Sequence, residues 1–163
     1  MIQARDVKTG QTHLYSYDKL VLAVGARAIV PNILGAGLQG VFTLRTPQDA
    51  VALRGYIAQY QVQHALVAGG GFIGLETAEN LKKLGLDVTV AEGADQILPD
   101  ALDWEMAAHV QKHLAQKGIH VITGAPVQAL EGERAFWRRR PAVSASRHRL
   151  SFYAPASNRT PGF

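Results

Sequence analysis

Residues 65–92 read ALVAGGGFIGLETAENLKKLGLDVTVAE, and this stretch decides the fold. An apolar run, Ala65 to Ala68, enters Gly69-Gly70-Gly71-Phe72-Ile73-Gly74, a G-x-G-x-x-G turn. A helix-like segment follows and stops at Gly85. A second β-rich run, Val88 to Ala91, then ends on Glu92, eighteen residues after the last glycine. The bare glycine pattern is weak, but strand, glycines, helix, second strand and terminal acid stand here in the order a dinucleotide site needs. Gly69 permits the tight turn, Gly71 lets backbone approach a pyrophosphate, and Gly74 lets the helix pack closely on the strand. Gly70, Phe72 and Ile73 complete the turn. The helix N-terminus offers unpaired N–H groups and the positive end of its dipole. Glu92 can accept hydrogen bonds from the hydroxyls of an adenosine ribose. A plain βαβ unit with a glycine turn is the competing reading.

The nature of the dinucleotide can be narrowed. A 2′-phosphate would be repelled by Glu92 and would call for a nearby cation. The next residues are Gly93, Ala94, Asp95 and Gln96, none of them basic. NADH is therefore favoured over NADPH, although the adenosine-diphosphate part of FAD would fit the same turn.

The 163 residues provide one domain's worth of chain, and 47% apolar content is ordinary for a folded protein. No apolar run reaches membrane-spanning length, and the opening residues lack the core of an export signal, so the expected location is the cytoplasm. There is no cysteine, which removes disulfides and thiol chemistry carried by this chain. The net charge of +4 misleads. Residues 134–163 hold seven arginines and no acid or lysine, so ten basic residues against thirteen acids leave residues 1–133 at −3. The body of the chain has no nucleic-acid signature.

Outward from the glycine turn, Lys8-Thr9-Gly10-Gln11 reads as a hairpin connection between two short strands. Leu20 to Val24 is a continuous apolar run of strand length, ending at Gly25-Ala26. Thr46-Pro47-Gln48-Asp49 reads as a helix start, with Ala50, Leu53 and Ile57 on one face. Asp100 or Asp103 can cap a helix running to Lys117, with Leu102, Met106, Val110 and Leu114 in line and Gly118 as the stop. Ile119 to Ile122 predicts a third strand of the unit, and Val127 to Leu130 the start of a fourth. Together these predict an α/β fold: a Rossmann-like doubly wound parallel sheet with helices on its faces, preceded by part of another domain.

The motifs support a family. Tyr17 to Ala26, with Pro31 and the Gly35-Ala36-Gly37 loop, resembles the second flavin motif of FAD-dependent pyridine nucleotide-disulfide oxidoreductases. Thr46 to Ala50, Gly69 to Glu76, and Asp95 to Pro99 with Glu105 to Ala108 continue the likeness. It is greatest to the branch of CoA-disulfide reductases and NADH oxidases, and it covers residues 1–132. The resemblance implies electron flow from NADH to FAD and on to a disulfide, peroxide or oxygen. It implies that Gly69, Gly71 and Gly74 hold the NADH pyrophosphate and Glu92 the ribose. Phe72 matches an aromatic that shields the flavin, Glu76 a helix acid near flavin and nicotinamide, and Gly25 the point where backbone approaches FAD. Val24 and Leu34 depart from the commoner threonine and proline.

The same resemblance implies a division of the chain: 1–45 as the end of an FAD-binding domain, 46–132 as an incomplete NAD(P)H-binding domain, and 133–163 as an Arg/Ser/Pro-rich tail. The family's first flavin glycine loop and redox cysteine would precede residue 1, and its later Gly-Asp flavin motif and dimerisation domain would follow residue 132, a truncation at both ends. The tail shows no period of two or of 3.6, and no strand to close the sheet is expected in it. Disorder or a frameshift is its expected origin. A complementing chain or a homodimer would complete the site. The alternative to an oxidoreductase fragment is a non-catalytic nucleotide-binding module.

Blander explanations stand beside these. His109 and His113, four apart, have no third ligand in sight, so no metal site is expected. Arg138-Arg139-Arg140 beside Trp137 has no expected scaffold that would present it to nucleic acid. Glu76 reads equally as a surface acid and Phe72 as a core aromatic. Glu79 and Lys83 form an ordinary i,i+4 pair.

Overall fold

The protein is described by a computed structural model covering residues 1–131 and, as backbone, 149–153. Five parallel strands form the sheet: β3 (Val41–Thr43), β4 (His64–Ala68), β5 (Asp87–Ala91), β6 (Ile119–Ile122) and β7 (Arg149–Tyr153). Their order is β3-β7-β4-β5-β6: the chain steps one way from β3 through β4 and β5 to β6, and β7 then returns to lie between β3 and β4. Three helices connect them: α1 (Pro47–Tyr60), α2 (Phe72–Lys83) and α3 (Trp104–Gln116). A separate antiparallel hairpin, β1 (Ile2–Arg5) with β2 (Thr12–Tyr15), precedes the sheet. The expected α/β architecture with a parallel sheet is the one observed.

The sequence explains why β4 is central. Its ALVA run is buried from end to end, as befits a strand covered on both faces. Ala65 and Val67 pack with Ala78 and Leu81 of α2, Val88 and Val90 of β5, and Ile119 of β6. Leu66 points to the other face, against Ala91 and Leu130. Fully burying such side chains stabilises by about 1.5–3 kcal/mol each. Gly85 turns left-handed at φ +88° just after α2 and returns Leu86 to the core.

The expected helix starts are observed in detail. Thr46 caps α1 through a reciprocal capping box with Asp49, and Pro47 opens the helix. Asp103 caps α3, accepting from the Met106 N–H at 3.0 Å. The 7–11 hairpin turn is held by Asp6, whose carboxylate accepts from the N–H groups of Lys8 and Thr9.

Four expectations are corrected. Leu20 to Val24 forms no strand and is exposed, Val21 at 84% and Val24 at 88%. A doubly buried strand needs ladder partners on its edges, and no described residue pairs with this run. Val127 to Leu130 makes one bridge, Leu34 to Ala129, rather than a strand. The segment paired with it enters a turn at Gly35 (φ +81°), which lies so close to Leu130 that a Cβ would fall 2.1 Å from the Leu130 carbonyl oxygen. On α3 the buried face runs through Ala107 and Leu114, with Val110 half-buried, while Met106 is exposed. Leu102, Val110 and Leu114 of the expected stripe do pack to the core, and only Met106 gives way, to Ala107 one residue on.

The fourth correction concerns the closing strand. β7 lies within residues 133–163, pairing with β3 on one side and β4 on the other. Leu150, Phe152 and Tyr153 are good strand formers, and without β7 both β3 and β4 would present unpaired backbone groups to each other. The rest of the tail expectation falls outside the described residues.

The Asp49 carboxylate accepts from the Thr46 and Arg45 N–H groups, and these bonds hold it below the usual carboxylate range. A folded pKa below the unfolded one adds stability above the unfolded value, lost as pH falls through the folded one. The stability gap between wild type and Asp49→Asn in urea should therefore narrow as pH drops from neutral to acid. A gap that stays constant would count against this cap.

Candidate functional site

The candidate site sits at the carboxyl edge of the sheet, beyond the end of β4; open α/β sheets place ligands outside the carboxyl ends of their strands. Three helices begin along this edge. Two of them cap their own N-terminal amides with side chains, α1 through Thr46 and α3 through Asp103. The third, α2, starts on Gly71 with no side-chain cap and no acid in its first turn. No described residue accepts from the N–H groups of Gly71, Phe72 or Ile73; the first backbone bond of α2 runs from Leu75 to Gly71. These amides, with the helix dipole behind them, favour an anion.

The glycines of the turn divide by task. Gly69 has φ +113°, a left-handed conformation that side chains resist. At Gly74 a Cβ would lie 2.0 Å from the Gly69 carbonyl oxygen, so helix and strand can approach only without it. At Gly70 a Cβ would meet Ile97 at 2.8 Å and Glu92 at 3.2 Å. Gly71 differs from all three. Its backbone is extended (φ −78°, ψ −178°) and a Cβ there would meet nothing within 4 Å. The fold makes no demand for glycine at 71, and the space beside the open amides is unobstructed.

Glu92 stands one residue beyond β5 and reaches the turn. One carboxylate oxygen accepts from Gly70 N–H at 2.5 Å, the other from Ala94 N–H at 2.8 Å. Backbone bonds fix the residue as well: Glu92 N–H donates to Ile122, and its carbonyl accepts from Ala125. The Gly70 amide is thus engaged by the protein itself and does not join the open set at Gly71, Phe72 and Ile73. A carboxylate has about four acceptor positions, so each Glu92 oxygen keeps capacity for a donor hydroxyl.

The remaining candidates are spread more widely. Phe72 is 66% exposed, which ends the core-aromatic reading. Ile73 is exposed beside it, and Glu76 lies one turn further on the outer surface of α2. Gly25 adopts φ +73° in an exposed stretch and a Cβ there would meet nothing within 4 Å. Its neighbour Ala26 is tied to the start of α1 by a long hydrogen bond from Arg45 Nε, 3.5 Å. His109 and His113 are exposed, and no group of three metal-ligating side chains occurs among the described residues. Sequence reasoning missed Ile97 and Leu98, which touch the turn from the loop after β5; a positive φ at leucine leaves no mark in the sequence.

A separate apolar cavity of about 180 Å³ lies between β3, β4 and the segments at 30–36 and 127–130. Its lining includes Ala68 but no residue of the glycine turn. No described helix is long and apolar enough to cross a membrane.

Pyridine nucleotide-disulphide oxidoreductases match residues 1–146, and the chain belongs to that family. It is 44% identical over 126 residues to an NADH oxidase of Methanocaldococcus jannaschii, covering 77% of this chain and 28% of that protein. It is 35% identical, with the same coverage, to the NAD(P)H coenzyme A polysulfide/persulfide reductase of Pyrococcus horikoshii. Among solved structures, the reduced CoADR-RHD of Bacillus anthracis superposes with a TM-score of 0.79 at 36% identity, over 94% of this chain and 28% of that one. An NAD-dependent persulfide reductase from A. fulgidus gives 0.74 at 32% identity, covering 92% of this chain and 28% of that one. The chain spans 28% of the length of the two curated relatives named here.

The glycine geometry predicts contrasting stabilities. Gly74→Ala should cost about 1–3 kcal/mol or more by overpacking. Gly71→Ala should cost about 1 kcal/mol or less, the difference between glycine and alanine at a helix cap. Equal losses in urea melts would refute the division of tasks.

Proposed function

We propose that this chain is the NADH-binding portion of a flavin-dependent oxidoreductase. One observation carries the proposal: the unobstructed space at Gly71 lies beside open helix amides, with the Glu92 carboxylate fixed on the amide of the preceding residue, Gly70. In this reading the pyrophosphate occupies the volume at Gly71 and takes the N–H groups of Gly71, Phe72 and Ile73. Gly69 and Gly74 shape the turn, and Gly70 anchors Glu92. The free acceptor positions of Glu92 take the adenosine ribose hydroxyls. A 2′-phosphate would face that carboxylate with no cation among residues 93–96, so NADH is preferred to NADPH. The names of the two curated relatives, an NADH oxidase and an NAD(P)H-dependent reductase, agree with a nicotinamide dinucleotide.

The bound nicotinamide supplies hydride chemistry, and the protein's part is to place it. Phe72, exposed at the first position of α2, is suited to cover or release the face of a neighbouring ring. Glu76 extends from the same helix one turn later and is proposed as a polar contact to the nicotinamide end. For FAD the fit fails among the described residues. Leu20 to Val24 and Gly25 are exposed, and nothing lies within 4 Å of where a Cβ at Gly25 would stand. We therefore route no step through a flavin on this chain.

That same exposure favours a second reading, a nucleotide-binding module whose flavin side is supplied by a complementing chain or a second copy. The visible spectrum of the purified protein separates the two: stoichiometric flavin absorbance supports the oxidoreductase, and a colourless protein that binds NADH supports the module.

Calorimetric titration tests the common core. Wild type should bind NADH more tightly than NADPH. Glu92→Ala should weaken NADH by about tenfold, or about 1.4 kcal/mol, and abolish the preference. Gly71→Val should abolish binding of both. Unchanged NADH affinity in Gly71→Val would refute the site.

A further inference from the structure

Beyond the residues that would touch the ligand, the structure contains a strained residue whose strain is aimed at the glycine turn. Leu98 has φ +49°, in the left-handed region, and it immediately precedes Pro99. Left-handed backbone is uncommon for any side chain except asparagine, aspartate and glycine, and a following proline restricts the choice further. The position is not a loose surface turn. Leu98 is 8% exposed and Ile97 before it is 0% exposed. The Leu98 carbonyl accepts from the N–H groups of both Ala101 and Leu102 at 3.0 Å, and Gln96 Nε2 donates to the Leu102 carbonyl at 2.8 Å. The loop is thus over-determined, the condition under which strained backbone persists.

The strained conformation delivers an N–H. Leu98 donates to the Gly70 carbonyl at 3.1 Å, while Gly70 N–H donates to Glu92 and its Cα carries Ile97 against it. Gly70 is therefore held at three points by one continuous segment, residues 92–98. Its two peptide planes set the direction of Gly71, the first of the open amides. We propose that Leu98 is a positioning residue: its left-handed backbone clamps the Gly70 peptide so that the Gly71, Phe72 and Ile73 amides converge on the diphosphate. The inference rests on the dinucleotide reading of the turn and extends it to a residue with no ligand contact. The resulting specificity is for a diphosphate held at a fixed distance from the Glu92 carboxylate, because one segment sets both.

Two substitutions separate backbone from side chain. Leu98→Asn keeps a residue that tolerates the left-handed region but removes apolar burial. Leu98→Val keeps apolar burial, but a β-branched residue resists that region and turns the N–H away from Gly70. The full chain and both variants are to be melted, titrated with NADH and followed by amide hydrogen exchange at Gly70. Leu98→Asn is expected to lower Tm while keeping NADH affinity within about twofold. Leu98→Val is expected to keep Tm nearer to wild type, weaken NADH by about tenfold or more, and speed Gly70 exchange by a similar factor. Affinity that follows Tm in both variants, or that is unchanged in both, overturns the clamp. Should wild type fail to bind NADH, the dinucleotide reading falls. The clamp is then decided by exchange alone: faster at Gly70 in Leu98→Val but not in Leu98→Asn upholds it, and equal rates overturn it.

Discussion

The bond from Gly70 N–H to the Glu92 carboxylate is the constraint on which the site depends. It joins the end of β4 to the end of its neighbour β5 at the carboxyl edge of the sheet. The bond fixes a carboxylate while leaving part of its acceptor capacity free, and it orients a glycine peptide without a side chain to obstruct it. A hydrogen bond to a charged group contributes more than a neutral one, about 1.5–3 kcal/mol. The half-buried Glu92 falls within that class, and its partner Ala94 N–H holds the second oxygen. The turn is therefore organised before any ligand arrives, which lowers the ordering cost of binding.

The sheet explains why this arrangement is rigid. β4 is buried along its length and flanked on both edges, so the turn that follows it is anchored on a strand with little freedom. α2 packs back on β4 and β5 through Ala78 and Leu81, and the missing Cβ at Gly74 sets how closely it approaches. At the opposite edge of the sheet, His64, Asp87 and Lys82 form a loose surface group at 3.5 and 3.8 Å. Such exposed pairs contribute little. The carboxyl edge carries the chemistry, and the apolar centre carries the stability.

The central unit was legible in the sequence because each of its signals has a local cause. Thr46 and Asp49, Gly69 and Gly74, Gly85, Asp103 and Gly118 all act on backbone within a few residues, and each is found where its chemistry requires. What depended on distant partners was not legible. Leu20 to Val24 has the composition of a strand, but composition supplies no neighbour to pair with. Val127 to Leu130 has a neighbour at Leu34, which turns away after one bridge. β7 was missed because Leu150 and Phe152 are surrounded by arginine and serine, and a strand that fills a gap needs less pattern than one that starts a sheet. Leu98 left no sign, since its conformation is imposed by contacts rather than by its own preference.

The central claim is that a diphosphate sits on the amides at 71–73 while Glu92 takes the adjoining ribose. It is tested most directly by titrating the isotopically labelled chain with NADH and following its backbone amides by NMR. Shifts concentrated at Gly71, Phe72, Ile73 and Ala94, and saturating together, are the predicted result. Absence of binding, or shifts confined to the apolar cavity around Ile33, Phe42 and Leu66, would contradict the account.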